Sequence, residues 1–212
     1  PTLKLMKIGM LDAATAAQTL SDASVLYGKD IADADQVVNT LVKTTQSALV
    51  GGLDGLTQFF QEAGPTASRF GISLEDSAVA AALFGDAGFR GSQGGNKFAN
   101  ALNMLSSSFA KNIDVGGEAQ RVINDLQKSL FDTAGNIKPP IEMFKVLRDR
   151  LEQVHDPVQK TIALNRLFGE SGGALDAIVT NMGDDLDRYG DIIKDVNGVS
   201  DDFIKRLQDS EN

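Results

Sequence analysis

The chain has 212 residues, 42% of them hydrophobic and 23% charged, with no cysteine and a formal charge of −9. That length supports a sizeable buried core in one large or two small domains. The missing thiols exclude disulfides and thiolate metal sites, and the acidity opposes sequence-independent binding to phosphate backbones.

Aromatic residues make up only 6% and tryptophan is absent, a balance that favours closely packed helices over sheet sandwiches. The longest apolar run, Ala78–Phe84, is far shorter than the roughly 18 residues that cross a bilayer. It reads as a core helix, and no stretch reads as a secretory signal peptide. Beginning at Pro1 and stopping in a charged stretch, the sequence has the character of a piece of something longer.

Helical spacing predicts segments at 11–26, 34–48, 53–70 (bent near Gly64-Pro65), 75–87 and 94–109. It predicts further ones at 117–129, 140–153, 157–168, 171–182, 185–196 and 200–209. Val37, Val38, Leu41 and Val42 form one apolar stripe, and Phe98, Leu102, Leu105 and Phe109 another. Ile141, Phe144, Leu147 and Leu151 form a third; Leu186, Tyr189, Ile193 and Val196 form a weaker fourth. Three Phe-Gly pairs, at Phe70, Phe84 and Phe168, read as helix ends, where an apolar side chain packs inward before a residue tolerant of positive φ. Ser73 with Asp76, Asp156-Pro157 and Pro139-Pro140 read as helix starts.

The expected architecture is all-α: a multi-helix bundle of short antiparallel helices with one small β-hairpin near 129–138. Its expected divisions are an N-terminal helical segment (1–46), a central helical core (47–182) and an acidic helical end (183–212). Residues 184–212 carry nine Asp/Glu against four Lys/Arg and read as a solvated acidic tail.

No motif points to chemistry. Taken as a calcium loop starting at Asp132, the sequence has Ala134 at position 3, Gly135 at position 4 and Met143 at position 12, and so fails in three places. What remains is a turn in which Asp132 bonds nearby backbone. "GSQGGNK" (91–97) lacks the Gly-Lys-Ser/Thr order and the preceding strand of a phosphate cradle, and reads as a corner between helices. His155 is the sole histidine, which leaves no histidine cluster. The pairs Asp184/Asp185 and Asp201/Asp202 are adjacent and diverge around a helix. No catalytic, cofactor-binding or metal-binding residue is assigned, and the chain is read as a non-enzyme.

Three stretches carry a family resemblance: "EAGPTASRFGISLEDSAVAAALFGDAGFRGSQGG", "LFDTAGNIKPP" and "LFGESGGALDAI". In this order, across about residues 47–182, they resemble the core region of phage tail tape measure proteins. The segment departs from that pattern at "NKFANALNML", which lacks an arginine, and at "LQKSLF", which replaces a Leu-Gly-Val step.

The resemblance implies a structural protein of a phage or prophage tail, found in the tail tube or at the tail tip, that sets tail length during virion assembly and leaves before genome ejection. It implies homo-oligomers, as trimers or higher, contacting tail-tube and tail-tip hub proteins, with no cofactor and no specific nucleic-acid binding. Host membrane contact would come only through other parts of the chain. An apolar face on the 75–87 or 171–182 helix is the expected contact surface, and the acidic end is expected to stay hydrated in the lumen. The alternatives are a cell-wall-degrading module of a tail protein and a generic acidic helical scaffold or adaptor.

Overall fold

Several helices start where something replaces the backbone partners that a helix end lacks. Ser73 Oγ accepts from the Asp76 amide at 3.0 Å and donates to Asp76 Oδ2 at 2.7 Å. Asp156 accepts from the Val158 amide at 2.8 Å, and Pro140 and Pro157 occupy first-turn positions that need no donor. The computed structural model describes residues 1–9, 13–28, 33–109, 115–182, 186–191, 196 and 198–210.

The helices are α1 (Thr2–Gly9), α2 (Ala13–Tyr27), α3 (Ala34–Ser47), α4 (Gly52–Arg69), α5 (Leu74–Asp86), α6 (Gly91–Phe109) and α7 (Gly117–Ser129). They continue with α8 (Pro140–Leu151), α9 (Pro157–Phe168), a 3-10 turn (Gly169–Ser171), α10 (Gly172–Met182), α11 (Leu186–Asp191) and α12 (Val199–Ser210). Helix α1 has no counterpart among the predicted segments. Of the predicted 185–196 helix, residues 192–195 lie outside the described set, as does Ile193 of its stripe. The side chain of Phe109 is likewise outside it.

One cluster of buried side chains runs from Leu5 to Tyr189 and draws on all three expected divisions of the chain. At its centre lies α5, in which Leu74 and every residue from Ser77 to Gly85 are buried. Its alanines let six helices (α3, α4, α6, α8, α10 and α11) close around it. This corrects the expectation that α5 presents an apolar face outward: it has no outward face. Four apolar residues of α10, Ala174, Leu175, Ile178 and Val179, are buried too.

Helix α5 returns the chain, so α4 and α6 lie side by side and parallel. Gly95 meets Phe59, and eight residues later Asn103 accepts a hydrogen bond from Arg69. The bundle is therefore not uniformly antiparallel. The start of α6 at Gly91, rather than at 94, has the same origin. A Cβ on Gly95 would lie 2.6 Å from the Phe59 carbonyl oxygen and 2.8 Å from Glu62 Cβ. The glycines of "GSQGGNK" thus form a helix surface that another backbone touches, where a corner was expected. Beside this contact, Phe59 stacks on Phe98 with ring centroids 6.0 Å apart, and Phe84 reaches both Phe98 (5.9 Å) and Phe144 on α8 (6.3 Å).

Two of the three Phe-Gly pairs end helices, with Gly71 at φ 71° and Gly169 at φ 56°. The third does not. Phe84-Gly85 lies inside α5, where a Cβ on Gly85 would stand 2.8 Å from the Leu49 carbonyl oxygen. The helix ends one residue later, at Asp86, closed by Phe89 N–H to Phe84 O at 2.8 Å and Gly88 N–H to Gly85 O at 3.0 Å, with the positive φ falling at Gly88. Helix α4 runs as one element through Pro65.

The expected β-hairpin is absent. Among the described residues there is no strand, only a single antiparallel bridge between Phe131 and Ile137. The arms have no room to extend, because Leu130 caps α7 and Pro139-Pro140 open α8.

The acidic end is docked, where a solvated tail was expected. Leu186, Tyr189 and Val196 are buried, and the Ser200 amide donates to Asn39 Oδ1 in the interior at 3.0 Å. Lys145 pairs with Asp187, and Lys4 pairs with Asp201 at 2.9 Å and Asp35 at 3.3 Å.

One substitution tests the close contact of α4 and α6, a second on α10 is its control, and a third tests the aromatic packing beside it. Gly95→Ala is expected to destabilise by about 1–3 kcal/mol through overpacking. Gly173→Ala, where a Cβ meets nothing within 4 Å, is expected to be neutral or to stabilise by up to about 1 kcal/mol. Phe84→Ala should cost about 3–5 kcal/mol. Urea unfolding of the three variants reads all three values.

Candidate functional site

The sequence-singled residues do not converge. Asp132 closes its own turn: Oδ1 accepts from the Ala134 and Asn136 amides, each at 2.8 Å, and Oδ2 accepts from Asn136 Nδ2 at 3.1 Å. The Asn136 amide and side chain, then the neighbouring amides, hold this carboxyl below its usual value. Both oxygens are thus engaged by the chain's own donors. Lys97 of "GSQGGNK" lies over the Phe89 ring at 5.1 Å, and its carbonyl accepts from Ser171 Oγ at 2.8 Å. His155 is exposed beside the Asp156 cap. Asp201 is taken up by Lys4, Asp202 stands exposed on α12, and Asp184 and Asp185 lie outside the described residues. Among the described residues no group of three or more His, Asp or Glu is placed to hold a metal ion.

A different constellation does converge. Asp86, the last residue of α5, meets α11 in a polar cleft of about 540 Å³. Thr45, Gln46, Ser47, Ala48, Leu49 and Asn181 complete the lining. Tyr189 is only 1% exposed, and its hydroxyl donates to Asp86 Oδ2 at 2.8 Å. Arg188 donates to the same carboxylate oxygen at 3.3 Å and to the Tyr189 hydroxyl oxygen at 2.9 Å. The Leu49 amide donates to Asp86 Oδ1 at 2.7 Å. The guanidinium carbon of Arg188 stands 4.9 Å from the Tyr189 ring centroid.

Burial and then the Asp86 carboxylate push the Tyr189 phenol up to about 12, with Arg188 opposing. Burial likewise pushes Tyr27 up to about 12, against a pull from Ser77. At physiological pH the Tyr189 phenol therefore stays protonated and acts as a hydrogen-bond donor to Asp86. What the cleft offers is charge and hydrogen bonding.

Sequence reasoning missed Asp86, Arg188 and Leu49 because they come from segments 37 to 103 positions apart. The one local signal was Tyr189, a residue with a polar tip placed on an otherwise apolar stripe.

Comparison with known proteins assigns the chain. The family model of phage-related minor tail proteins matches residues 1–169. The chain belongs to this family, in a tape measure region of it. It is similar to a tape measure protein of Pneumococcus phage Dp-1, 20% identical over 209 residues, which cover 98% of this chain and 17% of the relative. It is also similar to a probable tape measure protein of Escherichia phage P2, 21% identical over 176 residues, which cover 82% of this chain and 21% of the relative. The chain therefore spans about a fifth of the length of these relatives. No solved structure matches it.

Two titrations check the site. Because both phenols sit at about 12 when folded and near ~10 when unfolded, their contribution to stability is fully present below pH ~10. It is lost as pH rises through about 12. Ultraviolet titration should show little tyrosinate until that range, and Asp86→Asn should lower the midpoint of Tyr189. For Asp132 the sign is opposite: its contribution is present above the unfolded value of about 3.9 and is lost as pH falls through the lower folded value. A carbon-13 titration of its carboxyl should give a midpoint below the usual range, and added calcium should leave that resonance in place.

Proposed function

We propose that this chain is a folded structural module of a phage tail tape measure protein, carried in the tail tube or at the tail tip of the virion. It anchors the parent chain or nucleates assembly, and the length-setting rod lies elsewhere in that chain. Membership of the minor tail protein family and the two tape measure relatives support a structural, non-enzymatic role. Copies of itself and tail-tube or hub proteins are the proposed partners.

The observation that carries this reading is how far the chain falls short of a rod. Drawn out as one helix it would reach about 320 Å at 1.5 Å per residue. Its longest helix, α6, has 19 residues, which is about 28 Å. Helix α5 buries its apolar residues inside the module, as α10 does Ala174, Leu175, Ile178 and Val179, so contact with partners falls to other surfaces.

Tail length measures the difference. Removing a helical stretch of the same residue count from elsewhere in the parent chain should shorten tails by about 1.5 Å per residue. Removing this module should shorten them far less, or prevent tails from forming. Shortening by about 320 Å on removal of the module would mean that it lies extended in the tail, and would defeat the proposal.

A further inference from the structure

Three helices end at the cleft around Asp86. Thr45, Gln46 and Ser47 belong to the last turn of α3, Asp86 closes α5, and Asn181 lies in the last turn of α10. The C-terminal end of a helix carries the negative end of its dipole, although at α5 the carbonyls of Leu83, Phe84 and Gly85 accept from the Ala87, Phe89 and Gly88 amides. At α3 the amides that would have continued the ladder are engaged elsewhere. Leu49 N–H bonds Asp86, and Val50 N–H bonds the Ala48 carbonyl at 2.9 Å. To these partial charges Asp86 adds a full one, on a side chain only 15% exposed. The lining is therefore built for a cation.

Arg188 supplies that cation. One nitrogen reaches both the Asp86 carboxylate and the Tyr189 hydroxyl oxygen, and the guanidinium carbon stands 4.9 Å from the Tyr189 ring centroid. A guanidinium is more weakly hydrated than an ammonium and stacks more readily on an aromatic face, so a seat beside a buried phenol ring favours it. The Arg188 side chain is also 58% exposed, so the cation that fills the cleft is itself in contact with solvent.

We propose that this cleft is a guanidinium-binding site, filled in cis by Arg188, and that an arginine side chain of another protein competes for the same seat. While Arg188 is seated, α11 is fastened to the end of α5. When an incoming arginine takes the seat, that fastening is lost. The site goes beyond the proposed role in the tail and does not depend on it.

The test uses the full 212-residue chain, with Arg188→Ala to empty the seat and N-acetyl-arginine amide as the probe. N-acetyl-lysine amide and sodium chloride at equal ionic strength are the controls. The arginine probe should raise the melting temperature of Arg188→Ala by about 2–4 °C. It should raise that of the unaltered chain by less than half as much, and that of Arg188→Ala combined with Asp86→Asn not at all. No shift, an equal shift from the lysine probe, or a shift that survives Asp86→Asn would overturn the proposal. If Arg188→Ala does not fold, Arg188→Lys keeps the charge without the planar group. The arginine probe should then move the Tyr189 ring proton resonances in Arg188→Lys more than in the unaltered chain, and unmoved resonances would overturn it equally.

Discussion

Helices α4 and α6 touch backbone to backbone, with no side chain between Gly95 and the Phe59 carbonyl. That approach sets the position of everything around it. Because the two helices are parallel, α5 must cross between their ends, and the four alanines and one glycine among its buried residues let it be enclosed there. The phenylalanines beside the contact then have fixed partners. Phe59 and Phe98 stack across the pair, and Phe84 carries the packing on to Phe144 of α8. Interiors packed at crystal-like density do not absorb an added methyl group without displacing something, so a glycine at 95 constrains helices that it never touches.

The two ends of the chain are held by a different kind of interaction. Lys4 with Asp201 and Asp35, Lys145 with Asp187, and Arg188 with Asp86 all join segments distant in sequence. Most of these partners are exposed, and exposed ion pairs contribute little each. The docking of α11 and α12 rests instead on Leu186, Tyr189 and Val196 in the interior and on the Ser200 amide bonded to Asn39. The charges select where the acidic end lies, and the buried groups hold it there. This division explains how a chain with a formal charge of −9 can fold its most acidic stretch back onto itself.

Family membership comes from the sequence match, and the shape adds that this part of the chain is compact. The minor tail family match covers residues 1–169, whereas the relatives extend several-fold beyond this chain. A core that encloses its central helix is a folded unit and not a rod. The polar cleft at Asp86 is its most chemically organised surface feature, and it is organised around charge recognition.

How much of this was legible in the sequence follows from the range of each interaction. Helix positions were readable because apolar spacing and end signals act within a few residues: Ser73, Asp156 and Pro140 cap the helices they were expected to cap. The Asp132 turn was readable for the same reason, since every donor it uses lies within four positions. Where local signals were ambiguous, tertiary structure decided. "GSQGGNK" and Phe84-Gly85 hold glycines that suit a corner, yet both became helix interior because another backbone lies against them. The residues at 131 and 137 favour pairing, but adjoining helix ends left room for one bridge. The Asp86 cleft was invisible in the sequence because its parts are brought together only when α3, α5, α10 and α11 pack. By itself the sequence determined an all-helical chain with its corners nearly in place. Which faces met, which helix was enclosed and where charge gathered depended on contacts between segments far apart, which no local pattern encodes.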